Sequence, residues 1–182
     1  MSYKGLSSAQ IFTYEQVKEI NNEIKKNISG ERDSASKTAT KKGKFFNVPV
    51  QPLIDLTFPW LCQCQEANRK IYGYDAHWDF HLDSFSYNVY EKGDEYSWHI
   101  DINNDKSSPF DSKLTCLLNL SEKPYEGGEF KLLGFQTGLD EKIKFDCGYS
   151  IIFNSLIAHK VTPVTEGERI TLTYFANGPA WR

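Results

Sequence analysis

A histidine and an aspartate stand two residues apart, His99 and Asp101, in the stretch YSWHIDINND, just after an aromatic cluster and before a run of turn-forming residues. Both side chains are of types that can ligate a metal. Residues two apart on a strand point to one face, so the pair can converge on one ion at a strand end while Ile100 turns the other way into apolar packing. Two ligands do not make a site, and a third is expected from a distant strand. Of the other histidines, His159 is best placed: it opens HKVTPV, directly after the apolar run YSIIFN and a short turn containing Asn154 and Ser155. His77 and His81 have the i,i+4 spacing of a helical metal pair, but Phe80, Leu82 and Phe85 favour a strand or irregular entry, so both are expected to be surface or packed residues. Cys62, Cys64, Cys116 and Cys147 form neither a C-x-x-C pair nor a dense disulfide framework and are read as reduced thiols; Cys62 and Cys64 alone make a weak soft-metal pair.

Ten residues beyond His159 lies Arg169, in EGERITLTYF. Alternation puts Arg169, Thr171 and Thr173 on one face of a strand and Ile170, Leu172 and Tyr174 on the other. An arginine turned into a protein interior is costly unless an anion meets it. That anion is either one of the protein's own carboxylates, in a salt bridge, or a bound dicarboxylate gripped by the planar guanidinium fork.

Short segments must hold these residues in place. Thr13 and Gln16 have capping-box spacing and Phe12 and Val17 that of a hydrophobic staple; Val17, Ile20, Ile24 and Ile28 then form one apolar stripe of a helix ending near Gly30. A second helix is expected from about Leu53 to Ile71, with Pro59 in its first turn or breaking it. From Phe80 onward aromatic and β-branched runs alternate with turns: FSYNVY, KLTCLLNL, GGEFKLL, KIKF, YSIIFN, HKVTPV and RITLTYFANG. About eight strands at such spacing suggest a β-sandwich or jelly roll. No internal repeat or low-complexity tract is visible. The expectation is one mainly β domain over residues 1–182, with supporting helices at about 12–72 and a jelly-roll core at about 80–178.

Bulk properties narrow the function classes. A chain of 182 residues with 40% hydrophobic and 14% aromatic residues can bury a sizeable core. Its net charge of −3 argues against a general nucleic-acid binder. No charged start leads into an apolar core, and no apolar run approaches membrane-spanning length, so no membrane association is expected and a cytoplasmic location is the default. The charge is uneven: residues 1–50 hold nine Lys/Arg against five Asp/Glu, largely through SKTATKKGK. This is read first as a solvated loop and, more sharply, as a flexible flap over Ser29 to Lys44 beside the site mouth.

Taken together, HID, GGEF, AHKVTPVTEGER and NGPAWR resemble the iron(II)/2-oxoglutarate-dependent dioxygenases, and in particular their prolyl-4-hydroxylase-like branch with its small bacterial and phage members. The resemblance covers roughly Tyr87 to Arg182. It implies a double-stranded β-helix, or jelly roll. It also implies that His99, Asp101 and His159 are the iron-binding facial triad, that Arg169 binds the distal carboxylate of 2-oxoglutarate, that Tyr90 lines the cosubstrate pocket, and that Tyr96 lies near the substrate mouth. Two departures stand out. Asn119 occupies the place where some relatives have a tyrosine that touches the distal carboxylate, and Phe175 or Tyr174 stands where many have a tryptophan. The implied activity uses Fe(II), 2-oxoglutarate and O2, with ascorbate as an accessory reductant, to hydroxylate a substrate. Tyr96, Trp98 and Trp78 offer aromatic surfaces for a prolyl ring in a peptide or protein, although Trp78 is better read as a core residue. A free amino acid or other small molecule is the alternative substrate. A non-catalytic jelly-roll binding protein leaves the complete triad and Arg169 unused, a zinc hydrolase leaves Arg169 unexplained and lacks an obvious general base, and a nucleobase oxygenase is disfavoured by the acidic catalytic half and the lack of an evident basic, aromatic binding face.

Overall fold

A computed structural model describes residues 5–32, 41–80, 83–102, 107–134 and 143–181. Among them β1 (Leu6–Gln10) is followed by α1 (Tyr14–Asn27), β2 (Ser29–Arg32), β3 (Lys44–Pro49), α2 (Ile54–Ala67), β4 (Ser84–Tyr90), β5 (Tyr96–His99) and β6 (Phe110–Asn119). Then come β7 (Glu126–Gly127), β8 (Phe130–Leu132), β9 (Tyr149–Asn154), β10 (His159–Val161), β11 (Val164–Glu166) and β12 (Arg169–Pro179). Seven strands form one sheet in the order β1-β9-β6-β12-β4-β3-β2; β5-β10-β8 form a second, and β11 pairs with β7.

Both helices pack on the outer face of the large sheet. α1 starts as its sequence dictates: Gln16 N–H donates to Thr13 Oγ1 at 3.4 Å and Thr13 N–H to Gln16 Oε1 at 2.9 Å. Val17, Ile20 and Ile24 are then buried, and Ile28 ends the helix. α2 differs from expectation. It is entered through a 3-10 turn at Gln51–Leu53 and ends in a wider π turn at Asn68–Tyr72, closed by Gly73 at φ 68°. Pro59 sits inside α2, beyond its first turn, without breaking it. An interior proline costs about 3 kcal/mol, whereas full burial of each large apolar side chain returns about 1.5–3 kcal/mol. α2 buries Trp60 and Leu61 directly after the proline, then Cys64 and Ala67, so burial wins.

Strand alternation sorts the two cores. Leu114, Cys116 and Leu118 of β6, Leu172, Tyr174 and Ala176 of β12 and Phe85, Tyr87 and Val89 of β4 face the helices, together with Trp60 and the α1 stripe. The opposite face of the large sheet meets the smaller sheet through a second cluster that includes Phe45, Tyr90, Leu117, Phe130, Leu132, Phe145, Ile151 and Phe153. This is the expected architecture of facing sheets with flanking helices. The large sheet is nevertheless built partly from residues before Phe80, because β1 pairs with β9 and β3 with β4.

Three other expectations are corrected. KIKF is not a strand: Ile143 to Phe145 lie outside regular structure, and the Phe145 carbonyl accepts from the Asn119 side chain rather than from a ladder. HKVTPV is split at Thr162 and Pro163 into β10 and β11, as a residue lacking an N–H requires. The proposed flap is in part structured. Ser29–Arg32 form β2 against β3, Lys41 bridges to Tyr96, and Lys42 and Lys44 pair with Glu95 and Glu91 at 3.1 and 2.6 Å. Residues 33–40 of that segment lie outside the described residues. Among the described residues, no helix is long and apolar enough to cross a membrane.

A buried side-chain hydrogen bond is among the contacts that join the helix layer to the sheet. Trp60 Nε1 donates to Ser150 Oγ at 2.9 Å, with both residues fully buried. Ser150→Ala is expected to strand that N–H and lower unfolding stability by about 1–3 kcal/mol, read as a lower urea midpoint at unchanged slope.

Candidate metal and cosubstrate site

β5 and β10 are antiparallel neighbours with His99 directly opposite His159, so strand register alone brings two imidazoles together, with ring centroids 4.1 Å apart. His99 Nδ1 lies 2.7 Å from the Ser97 carbonyl and His159 Nδ1 2.9 Å from the Ile157 carbonyl. A carbonyl only accepts, so each Nδ1 carries the proton and, in the neutral ring, each Nε2 presents a lone pair. Both Nε2 atoms face Asp101, at 3.6 Å for His99 and 3.2 Å for His159.

Asp101 does not sit on a strand; it lies just past the end of β5. Its position is set by side-chain and backbone tethers. Asp101 N–H donates to the Ser155 carbonyl at 2.9 Å, and Thr115 Oγ1 donates to Asp101 Oδ2 at 2.7 Å and lies 3.0 Å from Ser155 Oγ. Thr115 and Ser155 are almost wholly buried. The sequence reading did not single out Thr115 as functional, and its available clue was a hydroxyl within the apolar run over residues 114–118.

Ligand atoms of His99, Asp101 and His159 all lie within 4.8 Å of one another, and among the described residues this is the one such His/Cys/Asp/Glu group found. Burial, followed by the neighbouring His159, pulls the His99 pKa down to about 4. At Asp101 burial works the other way, but His159 and then His99 in their charged, doubly protonated form, together with the Thr115 hydroxyl, hold the carboxyl below its ordinary value. Two lone pairs and a carboxylate confronting one another in a buried space repel unless a cation lies between them. This donor set fits a divalent metal, and two imidazoles with one carboxylate on one side leave further coordination positions open.

Around the triad the walls are aromatic. Tyr96 stacks on His99 with centroids 3.4 Å apart. Strict alternation would place these residues on opposite faces, but Val161 pairs with Tyr96 while His159 pairs with His99, so β5 carries one extra residue between them. Burial, then Asp101, pushes the Tyr96 phenol up to about 12. Phe153 and Phe130 flank His159 at 4.8 and 5.6 Å. Trp98 is not part of this wall: it faces outward, half-exposed, under the Lys160 ammonium. Trp78 stacks on Tyr174 in the helix-side core, as expected. His77 packs against Phe110, and His81 lies outside the described residues. Cys62, Cys64, Cys116 and Cys147 are free, with Cys64 and Cys116 buried.

Arg169 begins β12 directly opposite Tyr90 of β4. It is 1% exposed, yet among the described residues no carboxylate lies within ion-pair distance of its guanidinium, and its Nε has no hydrogen-bond partner. The internal salt bridge considered from sequence is therefore not found. Instead the guanidinium lies 5.4 Å from the Tyr90 ring and 5.5 Å from the Phe145 ring. Burial holds the Tyr90 phenol well above its ordinary range. The GGEF motif makes room for this arrangement. A Cβ on Gly128, which sits at φ 58°, would come within 2.9 Å of Arg169 Cδ, and one on Gly127 within 2.2 Å of the Pro163 carbonyl. A buried guanidinium with an orphaned donor is a site for an external anion.

A cavity of about 1000 Å3 opens nearby, bordered by Asn119, Tyr125, Gly128, Phe130 and Phe145 among others, with Arg169 itself not in its lining. The Asn119 amide is largely committed to the protein: Nδ2 donates to the Phe145 carbonyl and, at 3.5 Å, to the Tyr125 hydroxyl, and Oδ1 accepts from Ser121 N–H at 2.8 Å.

The sequence model of the 2OG-Fe(II) oxygenase superfamily matches residues 85–177. The chain belongs to this superfamily. Among its curated relatives, a PKHD-type hydroxylase of Alteromonas mediterranea is 41% identical over 91 residues, covering 46% of this chain and 38% of that protein. A PKHD-type hydroxylase of Janthinobacterium is 37% identical over 91 residues, 47% of this chain and 39% of that one. The match thus spans under two-fifths of these relatives' length. Solved structures align over nearly the whole chain. A Pseudomonas putida prolyl-4-hydroxylase has a TM-score of 0.72 at 18% identity, covering 97% of this chain and 94% of that one. A 2OG complex of the viral collagen prolyl hydroxylase from Paramecium bursaria Chlorella virus-1 has a TM-score of 0.71 at 18% identity, covering 96% and 97%. A Trichoplax adhaerens prolyl hydroxylase, solved with a hypoxia inducible factor oxygen degradation domain peptide fragment, has a TM-score of 0.68 at 17% identity and covers 95% and 84%. At these identities the structural likeness establishes the oxygenase's jelly-roll fold.

The depressed His99 pKa gives the metal-free oxygenase an acid-labile site. Below pH 6.5 the unfolded chain protonates His99, while the folded chain resists until about pH 4. The stability that His99 contributes is therefore complete above pH 6.5 and is lost as pH falls through that window, by roughly 3 kcal/mol in all. Urea midpoints of chelator-treated protein are expected to fall from pH 7 to pH 4.5, and less steeply in His99→Asn.

Proposed function

We propose that the chain is an Fe(II)- and 2-oxoglutarate-dependent hydroxylase of prolyl residues in a peptide or protein, working as one oxygenase unit with ascorbate as accessory reductant. The observation that carries this reading is a triad of mutually facing acceptors lying between the same two sheets as a buried guanidinium that has no anion of its own. His99, Asp101 and His159 would hold the metal, and Arg169 the far carboxylate of 2-oxoglutarate beside Tyr90. When bound, the metal and cosubstrate supply the activation of O2 that the protein's own side chains cannot perform.

The remaining work belongs to this chain. The Ser97 and Ile157 carbonyls fix both imidazole tautomers, so the Nε2 lone pairs need no proton loss to bind a cation. Thr115 and the Ser155 carbonyl hold Asp101 where its carboxylate can serve the same ion. The Arg169 fork fixes the length and direction of the cosubstrate. Tyr96, Phe130 and Phe153 keep water from the triad's flanks. Ile100, Ile102 and Leu156 flank Asp101 and Ser155 in the chain, and all three are substantially exposed, so Ile100 does not enter the apolar packing expected for it from sequence. Such an apolar lip suits a pyrrolidine ring better than a charged side chain, and the Trichoplax enzyme with its peptide fragment supports a peptide rather than a free amino acid. The four free thiols support a reducing, cytoplasmic setting.

The tests separate the parts. Proline-containing peptides, free proline and other small acids are offered with Fe(II), 2-oxoglutarate, O2 and ascorbate; a single added oxygen on a peptide is expected by mass. Oxygen gained only by a small molecule would leave the oxygenase chemistry standing and remove the peptide. His159→Ala is expected to lose stoichiometric Fe(II) binding and turnover together. Arg169→Lys keeps the charge but not the fork, and is expected to raise the 2-oxoglutarate requirement at least about tenfold with Fe(II) affinity little changed.

A further inference from the structure

We propose that the outer face of the small sheet is a docking surface for the protein substrate, taking an acidic stretch with a bulky apolar residue that flanks the hydroxylated position. The proposal rests on the peptide-substrate reading above.

Trp98 is a large aromatic residue beside a metal-site histidine, and the site does not use it. Both chain neighbours of the inward-facing His99, Trp98 and Ile100, are exposed, at 46% and 41%. The same alternation crosses the sheet: β10 buries His159 and Val161 but not Lys160, and β8 buries Phe130 and Leu132 but not Lys131. Lys160 stands directly opposite Lys131, and its ammonium lies 5.0 Å from the Trp98 ring. Leu133, two residues after Lys131, is 63% exposed. One face of three strands thus gathers a tryptophan, a leucine and two ammonium groups, while the other face holds the histidines of the site.

Neither half of that combination favours the isolated protein. Large apolar side chains left in water forgo burial, and a patch of them rimmed by charge marks a surface that another molecule covers. Like charges directly opposite on a sheet repel. Lys131 is partly answered by Glu129 at 3.4 Å, but among the described residues Lys160 has the Trp98 ring and no carboxylate. A carboxylate laid between the two lysines relieves their repulsion, and an apolar side chain laid on Trp98 or Leu133 releases water.

Two features choose the occupant. The chain carries a net charge of −3, so two local cations draw a short acidic segment while the rest of the surface opposes a broad anionic one such as a lipid membrane. Ile100 belongs both to this face and to the apolar lip beside Asp101. A chain seated with its target residue at the triad therefore continues past the end of β5 onto Trp98 and Lys160. Extended peptide covers about 3.3 Å per residue, so a flank of about four to eight residues suffices.

The experiment offers the Fe(II)-loaded protein peptides with one proline-containing core. The flank is a leucine among aspartates, or the same with asparagine for each aspartate, placed before or after the core. Oxygen gained, read by mass, gives kcat and KM. On one side of the core the acidic flank is expected to lower KM about three- to tenfold at unchanged kcat, an advantage that shrinks with salt. Lys131→Gln with Lys160→Gln is expected to remove the advantage, leaving turnover of the neutral peptide and Fe(II) stoichiometry as in wild type. Trp98→Ser is expected to raise KM for both flanks, and Trp98→Phe to restore most of it. Equal KM for acidic and neutral flanks in wild type would overturn the proposal, as would an advantage that survives the lysine double variant. So would dimerisation of the chain, or capture by phosphatidylserine vesicles, that these variants abolish while the flanks have no effect on KM. If oxygen entered only a small molecule and never a peptide, the peptide reading itself would fall, and this proposal with it.

Discussion

Two imidazole lone pairs and a carboxylate that face one another inside a protein are unstable company, and the rest of this structure is arranged to keep them there. The antiparallel pairing of β5 with β10 sets His99 against His159. The Ser97 and Ile157 carbonyls lock the rings so that neither can turn its N–H inward. Thr115 and Ser155 then fix the aspartate from the large sheet's side. Each device costs conformational freedom and returns little by itself. Together they would trade stability of the fold for affinity toward the cation proposed to bind there, as a pre-organised site does.

Arg169 poses the same problem with opposite charge. A guanidinium at 1% exposure has given up hydration without gaining a carboxylate among the described residues. Two ring faces and a glycine that yields space soften that loss, since aromatic faces attract a cation modestly. They cannot replace an anion. The two half-sites are thus complementary deficits, one short of positive charge and one of negative, set between the same two sheets. A ligand that chelates at one end and carries a carboxylate at the other answers both.

What the sequence disclosed and what it concealed divide along a physical line. The Thr13–Gln16 box, the Val17/Ile20/Ile24 stripe and the two-residue alternation of β12 depend on neighbours within a turn or a strand, so they could be read directly. His99, His159 and Arg169 were legible because few residue types bind metals or anions. Asp101 was expected on a strand and lies past its end, since its place is decided by Ser155, far along the chain. KIKF alternates like a strand, yet a side-chain amide from Asn119 takes the carbonyl a ladder would need. The extra residue on β5 that swings Tyr96 onto His99, and the one at Lys113 on β6 where Ser112 faces Asn177 while Leu114 faces Ala176, are products of pairing across strands. No local pattern encodes them.

The interleaving of chain and site has a consequence for how the molecule comes into being. His99 has no partner until β10 exists, and Tyr90 waits for the strand that begins at Arg169. During synthesis the early strands therefore emerge without a functioning centre, and the last elements made complete both half-sites together. A nascent or truncated chain would hold isolated histidines without the facing acceptors that the proposed iron site needs. Long-range topology, slow as it is to form, doubles as a safeguard: reactive chemistry becomes available only once the fold that contains it is finished.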